Sequence, residues 1–309
     1  MTTGPLVSIV LPTYNGARYL GQAIQSCLDQ TYPHWELIIV DDASTDDTPT
    51  LIAQFIRKDG RIRLIRHAQN RILPGALNTG FAVATGEYLT WTSDDNCYRP
   101  EALAVMAAFL ESAPEYEIVY ADYTLIDADG RPVQHMAVRD PEDLVIGNHI
   151  GPCFLYRRIV QTTLKAYDES LFLAEDYDFW LRASTSFRLY PLHKDLYLYR
   201  LHSGSLTHQK WAQVQRVFDL ALESNLCRMD WLSCESVSKG YFGLAVNAYK
   251  RHYTSLACVH LWRALRSSPR HVLQQIYELA KRRLTRVTRH LASTSCAERL
   301  GRQVKASNG

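Results

Sequence analysis

The first 120 residues alternate short apolar runs with segments of helical spacing, and this alternation constrains the fold more than any other feature of the sequence. The apolar runs lie at residues 7–12, 36–40, 62–66 and 87–92. Apolar residues at helical spacing occur at 18–29, 48–57, 77–84 and 100–112. Strands that alternate with helices of this length are typical of βαβ units, whose sheet is covered by helices on both faces. We therefore predict an α/β domain with a mainly parallel central sheet.

The pattern changes after residue 120. A hairpin is predicted over 124–136, because Gly130 follows Asp129 and this dipeptide supplies the positive φ of a tight turn. From about Trp211 the pattern is helical, and the stretch 240–269 resembles one tetratricopeptide-type helical hairpin; an ordinary helical pair is the alternative. We expect three parts: a catalytic domain over 1–210, a C-terminal helical hairpin region over 211–280 and a basic tail over 281–309.

Composition places the chain among ordinary globular proteins, since 47% of its 309 residues are hydrophobic and 21% are charged. No apolar run reaches the roughly 18 to 20 residues that span a bilayer, and the N-terminus lacks the pattern of a signal peptide. The seven cysteines are scattered and include no C-x-x-C pair, so a disulfide framework is not expected. These features predict a cytoplasmic protein.

The charge is distributed unevenly along the chain. From Arg263 to the C-terminus there are eleven Lys and Arg against two Glu, while the preceding part is acidic overall. Within 281–291 the basic residues alternate with leucine and valine, which suits the surface of an anionic membrane. Two interpretations of the basic C-terminus stay open: a solvated tail, and a peripheral contact with the inner face of the membrane.

Polar residues follow three of the predicted strands at the point where each strand ends. They are Pro12-Thr13-Tyr14-Asn15, Asp41-Asp42 and Ser93-Asp94-Asp95-Asn96. Ligands of open α/β sheets bind beyond the carboxyl ends of the strands. We therefore expect these three groups to share one edge of the sheet.

Each group has a functional and a structural interpretation. Adjacent carboxylates at Asp94 and Asp95 suit Mg²⁺ or Mn²⁺, which take oxygen ligands and substrate phosphates, but the same residues could cap the helix near Pro100. Asp42 could accept from a base or ribose, and Tyr14 could stack on a base; a polar loop and simple packing are the alternatives.

A third acidic cluster lies within the segment Leu173–Trp180. Asp176 would stand near the N-terminus of a short helix, where the helix dipole favours the ionised form. Such a carboxylate could act as a general base towards an acceptor hydroxyl. A capping role beside buried aromatic residues is the alternative.

Signatures of other enzyme classes are absent from the sequence. There is no P-loop, no dinucleotide fingerprint, no nucleophile elbow and no H-E-x-x-H. The Tyr- and Arg-containing stretch 196–202 is too short to indicate nucleic-acid binding, so we expect no nucleic-acid partner.

Taken together, six motifs in order resemble the family-2 glycosyltransferases, which have the GT-A nucleotide-diphospho-sugar transferase fold and invert the anomeric centre. The matching segments are 7–15, 38–46, 76–80, 84–88, 93–96 and 175–182. The resemblance covers about residues 6–208. It departs from the family at Asn70, where the expected glycine two residues later is replaced by Ile72 and Gly75 follows instead.

The resemblance implies a role for each matching residue. Pro12, Thr13 and Tyr14 would line the nucleotide pocket, with Asp42 at the edge of the base. Asp94 would face the ribose or sugar.

The remaining roles concern catalysis, the metal and the acceptor. Asp95 and His202 would hold Mg²⁺ or Mn²⁺, Asp176 would be the general base, and Gly151 would lie in a loop on the acceptor side. The acceptor loops would include residues 134–151.

The expected activity is transfer of a sugar from a nucleotide-sugar donor to an acceptor hydroxyl with inversion, in polysaccharide or glycoconjugate synthesis. UDP is the commonest nucleotide of such donors, while GDP and dTDP also occur, and the acceptor would be a glycan or a lipid-linked molecule. A sugar-nucleotidyltransferase and a non-catalytic nucleotide-sugar-binding protein remain alternatives at this point.

Overall fold

A computed structural model describes residues 4–281 and Thr285. The chain divides into two compact units, of which the first ends at Trp231 and the second begins at Leu232. The predicted basic tail lies outside the described residues, apart from Lys281 and Thr285. Within the described part of the chain, no helix has the length and hydropathy needed to cross a membrane.

The first unit is built on one mixed sheet, in which nine strands are found among the described residues. Its order is β3-β2-β1-β4-β8-β6-β9-β5, with β7 paired to β6 outside this path. The strands are β1 (Val7–Thr13), β2 (Trp35–Asp41), β3 (Ile62–Arg66), β4 (Tyr88–Trp91), β5 (Cys97–Tyr98), β6 (Ile118–Ile126), β7 (Pro132–Met136), β8 (Phe154–Arg157) and β9 (Leu189–Arg200).

The strands β1 to β4, which the sequence pattern predicts, pair in parallel with one another. β1 pairs in parallel with both β2 and β4, and β2 pairs in parallel with β3. Beyond β4 the sheet changes direction, because β8 is antiparallel to both β4 and β6, whereas β6 and β9 are parallel. This architecture confirms the predicted α/β fold of the GT-A type and adds an antiparallel section.

Helices cover both faces of the sheet. In the first unit these helices are α1 (Leu20–Leu28), α2 (Thr48–Ile56), α3 (Ile72–Val83), α4 (Ala102–Ser112), α5 (Arg158–Leu164), α6 (Glu175–Ala183), α7 (Leu206–Gln209) and α8 (Trp211–Leu226). The second unit has helices of its own, α9 (Cys234–Lys250) and α10 (Thr254–Ser267). Two short 3₁₀ helices, Pro141–Ile146 and Glu169–Leu171, lie in the connections. A further helical stretch covers 269–281.

The alternation of side chains along β1 divides the core between the two faces. Val7, Ile9 and Leu11 are fully buried and belong to one cluster with residues of α1, α2 and α4. Val10 points to the other face, where Gly80 of α3 approaches so closely that a Cβ there would lie 2.4 Å from Val10 Cγ1. The run of apolar residues in β1 therefore reflects burial on both faces.

Two elements differ from the prediction. α3 begins at Ile72 rather than at residue 77, because Pro74 stands in the first turn, where its missing N–H costs no hydrogen bond. Gly75 therefore lies inside the helix and not in the loop that precedes it. β9 begins at Leu189, seven residues before the Tyr- and Arg-containing stretch 196–202, and its irregular register against β6 hides the two-residue period.

The second unit is helical in its described part, as predicted for the C-terminal section. α9 begins at an N-cap, Ser233, whose hydroxyl accepts a hydrogen bond from the Ser236 amide. Within this unit, Ser238 of α9 donates to the carbonyls of Ala264 and Ser268, which fastens α9 to the end of α10.

Gly86 provides a test of the packing between β1 and the turn before β4. Its amide donates to Ser8 Oγ at 2.7 Å, and an added Cβ would lie 2.5 Å from the Leu6 carbonyl oxygen. We expect Gly86→Ala to lower the free energy of unfolding by about 1–3 kcal/mol, since the backbone of β1 must move. Urea unfolding of the variant measures this. Gly60→Ala is the control, because no described residue lies within 4 Å of its added Cβ; an equal loss in both variants would contradict the explanation.

Candidate active site

The carboxyl ends of β1, β2 and β4 meet at one edge of the sheet, as the parallel pairing requires. In the register of β1 and β2, Thr13 stands beside Asp41, and Val10 stands beside Trp91 of β4. The next residues of β1 and β4 therefore run side by side. The Thr13 hydroxyl donates to Asp94 Oδ2 at 2.5 Å, which joins two of the three predicted polar groups.

Asp94 is enclosed by the turn that follows β1. A Cβ at Gly16 would lie 2.1 Å from Asp94 Oδ2, so only a residue without a side chain allows this approach. Burial raises the pKa of Asp94 to about 7; the neighbouring Asp95 charge adds to the rise, while the Thr13 hydrogen bond and His202 oppose it. Asp94 is thus a partly buried carboxyl held against the turn that follows β1.

The Asp95 carboxylate pairs with the imidazole of His202. His202 Nε2 lies 2.8 Å from Asp95 Oδ2, and both side chains remain partly accessible, at 15% for the histidine and 20% for the aspartate. An imidazole and a carboxylate suit Mn²⁺ or Mg²⁺ as a partial ligand set. The described residues contain no group of three His, Cys, Asp or Glu side chains arranged around one metal position. Substrate phosphates would have to complete the coordination.

Arg200 fixes the loop that carries Asp94 and Asp95, and the sequence contains no signal for this role beyond its closeness to His202. It is 3% exposed. Its amide donates to Asn96 Oδ1 at 2.8 Å, and its Nε donates to the Asp95 carbonyl at 2.9 Å. The guanidinium lies 4.6 Å from the ring centre of Tyr19, whose ring is also 5.1 Å from that of His202.

Asp42 is buried at the end of β2 and is held from two sides. His67 Nδ1 lies 2.6 Å from Asp42 Oδ1, and the Arg71 amide donates to the same oxygen at 2.8 Å. His67 Nε2 in turn contacts the Thr79 hydroxyl at 3.0 Å. His67 could not be predicted as a site residue, because a single histidine after a strand carries no sequence pattern.

Pro12 is buried in β1, whereas Tyr14 is 51% exposed beyond the strand end. Asn15, which follows Tyr14 and has a positive φ of 54°, connects the loop after β1 to the loop after β2. The Asn15 amide donates to Ser44 Oγ, and its Oδ1 accepts from the Thr45 amide. The first two strand-end loops are thus tied together beneath an accessible tyrosine ring.

Asp176 lies in the first turn of α6, as predicted, and is half-buried. Its Oδ1 accepts from the Tyr177 amide at 2.7 Å, and its Oδ2 accepts from Asn148 Nδ2 at 2.8 Å. Burial raises the pKa of Asp176, and these hydrogen bonds oppose the rise. The adjacent Glu175 is more deeply buried, and its pKa is raised by burial and by the Asp176 charge.

Aromatic packing sets α6 against the strands of the site. Trp91, the last residue of β4, contacts the Phe154 ring at 5.9 Å between centroids, and Phe154 contacts Trp180 of α6 at 4.7 Å. Trp91 precedes Asp94 by three residues and Trp180 follows Asp176 by one helical turn. The structure therefore connects the third acidic cluster to the end of β4 through two ring contacts.

Gly151 lies in the segment before β8 and has a φ of +74°, a left-handed conformation that favours glycine. An added Cβ would lie 2.8 Å from Tyr123 Cε1. The same segment carries Asn148, which binds Asp176. The loop predicted for the acceptor side thus reaches Asp176, the predicted base, through Asn148, for which the sequence carries no signal.

Comparison with known proteins adds an independent finding. The family model described as glycosyl transferase family 2 matches residues 8–169. Bacillus subtilis EpsE, named as a glycosyltransferase, is 33% identical over 68% of this chain and 78% of its own length. TuaG of the same organism, named as a teichuronic acid biosynthesis glycosyltransferase, is 28% identical over 69% and 86%.

Among solved structures, residues 1–349 of S. aureus TarS in complex with UDP-GlcNAc superpose with a TM-score of 0.63. The sequence identity is 18%, and the alignment covers 86% of this chain and 82% of TarS 1–349. At this identity the likeness concerns the fold. The family match disfavours the sugar-nucleotidyltransferase alternative. The chain belongs to glycosyl transferase family 2 and is a glycosyltransferase.

Proposed function

We propose that the chain transfers a glycosyl group from a UDP-sugar to an acceptor hydroxyl, with inversion, in polysaccharide synthesis. The observation that carries the proposal is the position of Asp176, a half-buried carboxyl in α6, the helix whose Trp180 packs through Phe154 against Trp91 at the end of β4. Support for the nucleotide comes from the UDP-GlcNAc complex of TarS, and support for the product class from the name of TuaG.

The proposed reaction is a single displacement. Asp176 accepts the proton of the acceptor hydroxyl as its oxygen forms a bond to the anomeric carbon. The bond from that carbon to the diphosphate oxygen breaks, and UDP leaves with its electron pair. Because attack and departure occur on opposite faces of the sugar, the anomeric configuration inverts.

Two features of Asp176 suit it to the role of base. Burial raises its pKa, which strengthens the carboxylate as a proton acceptor while it still ionises near neutral pH. The Tyr177 amide and the Asn148 side chain fix the carboxylate and stabilise its charge. A base that is both held in place and partly desolvated contributes more than one exposed on a loop.

The donor would bind along the edge formed by β1, β2 and β4. Pro12 and Thr13 would line the nucleotide pocket, and the exposed Tyr14 ring would stack on the uracil. We assign Asp42, fixed by His67, to the base edge. We assign Asp94 to the ribose or sugar hydroxyls.

Asp95 and His202 would hold a divalent cation, Mg²⁺ or Mn²⁺. Their accessible, directly paired side chains fit such an ion, whose remaining ligands would be diphosphate oxygens. When bound, the ion supplies positive charge that stabilises the departing diphosphate. Arg200 contributes by holding the main chain at Asp95 and Asn96.

The acceptor would enter beside the segment that contains Asn148 and Gly151. The left-handed backbone at Gly151 and its contact with Tyr123 shape this loop, and Asn148 connects it to Asp176. We propose a glycan or lipid-linked acceptor, and no nucleic acid.

The first prediction concerns Asp176→Asn. We expect kcat to fall by about 10²- to 10⁴-fold, the usual contribution of a general base, while UDP affinity stays within about threefold. Radiolabelled sugar transfer and calorimetric UDP titration measure the two quantities. Glu115→Gln, which neutralises an exposed carboxylate before β6, is the control and should turn over normally. Normal turnover of Asp176→Asn would refute the assignment.

The same variant should reveal the cost of burying the charge. Because folding raises the pKa of Asp176, the charged form destabilises the native state above that pKa, and the penalty disappears as the pH falls towards the unfolded value. The side-chain oxygen of the substituted asparagine can still accept from the Tyr177 amide. Asn148 can rotate so that its Oδ1, which has no hydrogen-bond partner within residues 4–281, accepts from the new side-chain amide.

We therefore expect Asp176→Asn to gain on the order of 1 kcal/mol in unfolding free energy at pH 8, and less at pH 5. Urea unfolding at both pH values tests this. A variant less stable than the parent at pH 8 would show that Asp176 has a mainly structural role.

The next prediction concerns Asp95, the proposed metal ligand. Asp95→Asn should weaken Mn²⁺-dependent UDP binding by about tenfold or more, because one charged ligand is lost. Asp176→Asn is the matched control, since it neutralises another carboxylate of the site and should keep this binding. Calorimetric UDP titration with Mn²⁺ and with EDTA gives the comparison. Equal UDP affinity of Asp95→Asn and the parent in Mn²⁺ would exclude Asp95 as a ligand.

A further inference from the structure

The second unit presents two stripes of apolar side chains that its described residues leave exposed. On α10 the inner stripe of Ala257, His260 and Ala264 is buried. The outer stripe contains Val259, Trp262 and Leu265, exposed to 45%, 58% and 38%. The spacing of three residues places them on one side of the helix.

The helical stretch 269–281 repeats this arrangement. Val272 is buried, whereas Leu273, Ile276 and Tyr277 are exposed to 67%, 49% and 64%. These three residues also share one side, since Leu273 is separated from the other two by three and four positions. We name the six exposed residues of the two stripes the apolar face of the second unit.

Basic side chains accompany both stripes. Residues 232–281 contain seven Lys and Arg against two Glu. The Arg266 guanidinium lies 5.4 Å from the ring centre of Trp262, and it follows that residue by one turn. Arg270 and Lys281 stand three residues before Leu273 and four residues after Tyr277, at the two ends of the second stripe.

This combination indicates the kind of surface that would cover the apolar face. Exposed apolar groups of this extent mark an interaction site in a folded protein. A positively charged surround disfavours a second copy of the same unit, because the like charges would be brought together. An anionic lipid surface satisfies both features, since Trp and Tyr rings settle at the headgroup level and Lys and Arg reach the phosphates.

We propose that the apolar face of the second unit docks on a membrane that contains anionic phospholipid. The helices would lie in the plane of the interface with Trp262, Leu273 and Tyr277 entering the boundary between headgroups and acyl chains. The contact belongs to described helices and does not require the basic tail. It is independent of the transferase chemistry, so either proposal can fail alone.

Co-sedimentation of the full chain with vesicles tests the proposal. The vesicles are phosphatidylcholine alone, or phosphatidylcholine with about 30% phosphatidylglycerol, which supplies the negative surface potential that attracts basic side chains. We expect binding to the anionic vesicles, reduced at high salt because screening weakens the attraction to the headgroups.

The decisive variant is Trp262→Ser/Tyr277→Ser. It should lower the vesicle partition coefficient by about tenfold or more, because two interfacial aromatic rings are removed. The matched control is Trp211→Ser in the first unit, whose parent side chain is equally exposed at 58% and which should bind as the parent does. Circular dichroism checks that the helices persist. Arg266→Gln/Arg270→Gln gives a second arm, expected to weaken binding to anionic vesicles only.

Several results would overturn the proposal. Unchanged binding of Trp262→Ser/Tyr277→Ser would assign the contact to the tail or to the first unit. Equal binding to both vesicle types, or none to either, would exclude an anionic membrane. Sedimentation velocity that shows a dimer of the parent, lost in the same double variant, would assign the apolar face to a second copy of the chain.

Discussion

The parallel pairing of β1 with both β2 and β4 is the constraint on which the site depends. Because three carboxyl ends meet at one edge, Thr13, Asp42 and Asp94 come together from segments that are up to about eighty residues apart. The side chains at these ends are polar and enclosed, which costs solvation free energy. The buried apolar strands behind them supply the rigidity that keeps them in place.

Asp94 and Asp176 share an electrostatic property that the fold imposes. Burial raises the pKa of each carboxyl, so each ionises less readily than a solvated aspartate. Hydrogen bonds from Thr13 in one case, and from Asn148 and the Tyr177 amide in the other, offset part of that cost. Groups held in this way respond more strongly to an approaching donor, cation or hydroxyl than exposed carboxylates do, because partial burial reduces the screening by water.

The sequence predicted the strands of the parallel half, the helical C-terminal section and the strand-end carboxylates, since all three follow from local patterns. It did not predict the residues that support the site. Arg200, His67 and Asn148 act through contacts over 25 to 105 positions of the chain, and no local periodicity encodes such contacts. The irregular register of β9 escaped for the same reason, because tertiary packing overrides local preference. The early start of α3 at Ile72 has a local cause instead, since Pro74 fits the first turn of a helix.

Inversion by direct displacement, with Asp176 as the base, is the claim that connects these features. The configuration of the new linkage tests it most directly. Proton NMR of the product formed from an α-linked UDP-sugar reports the anomeric coupling of the transferred residue. Displacement at the face opposite the diphosphate predicts a β-linked product. An α-linked product would contradict a single displacement and with it the role proposed for Asp176.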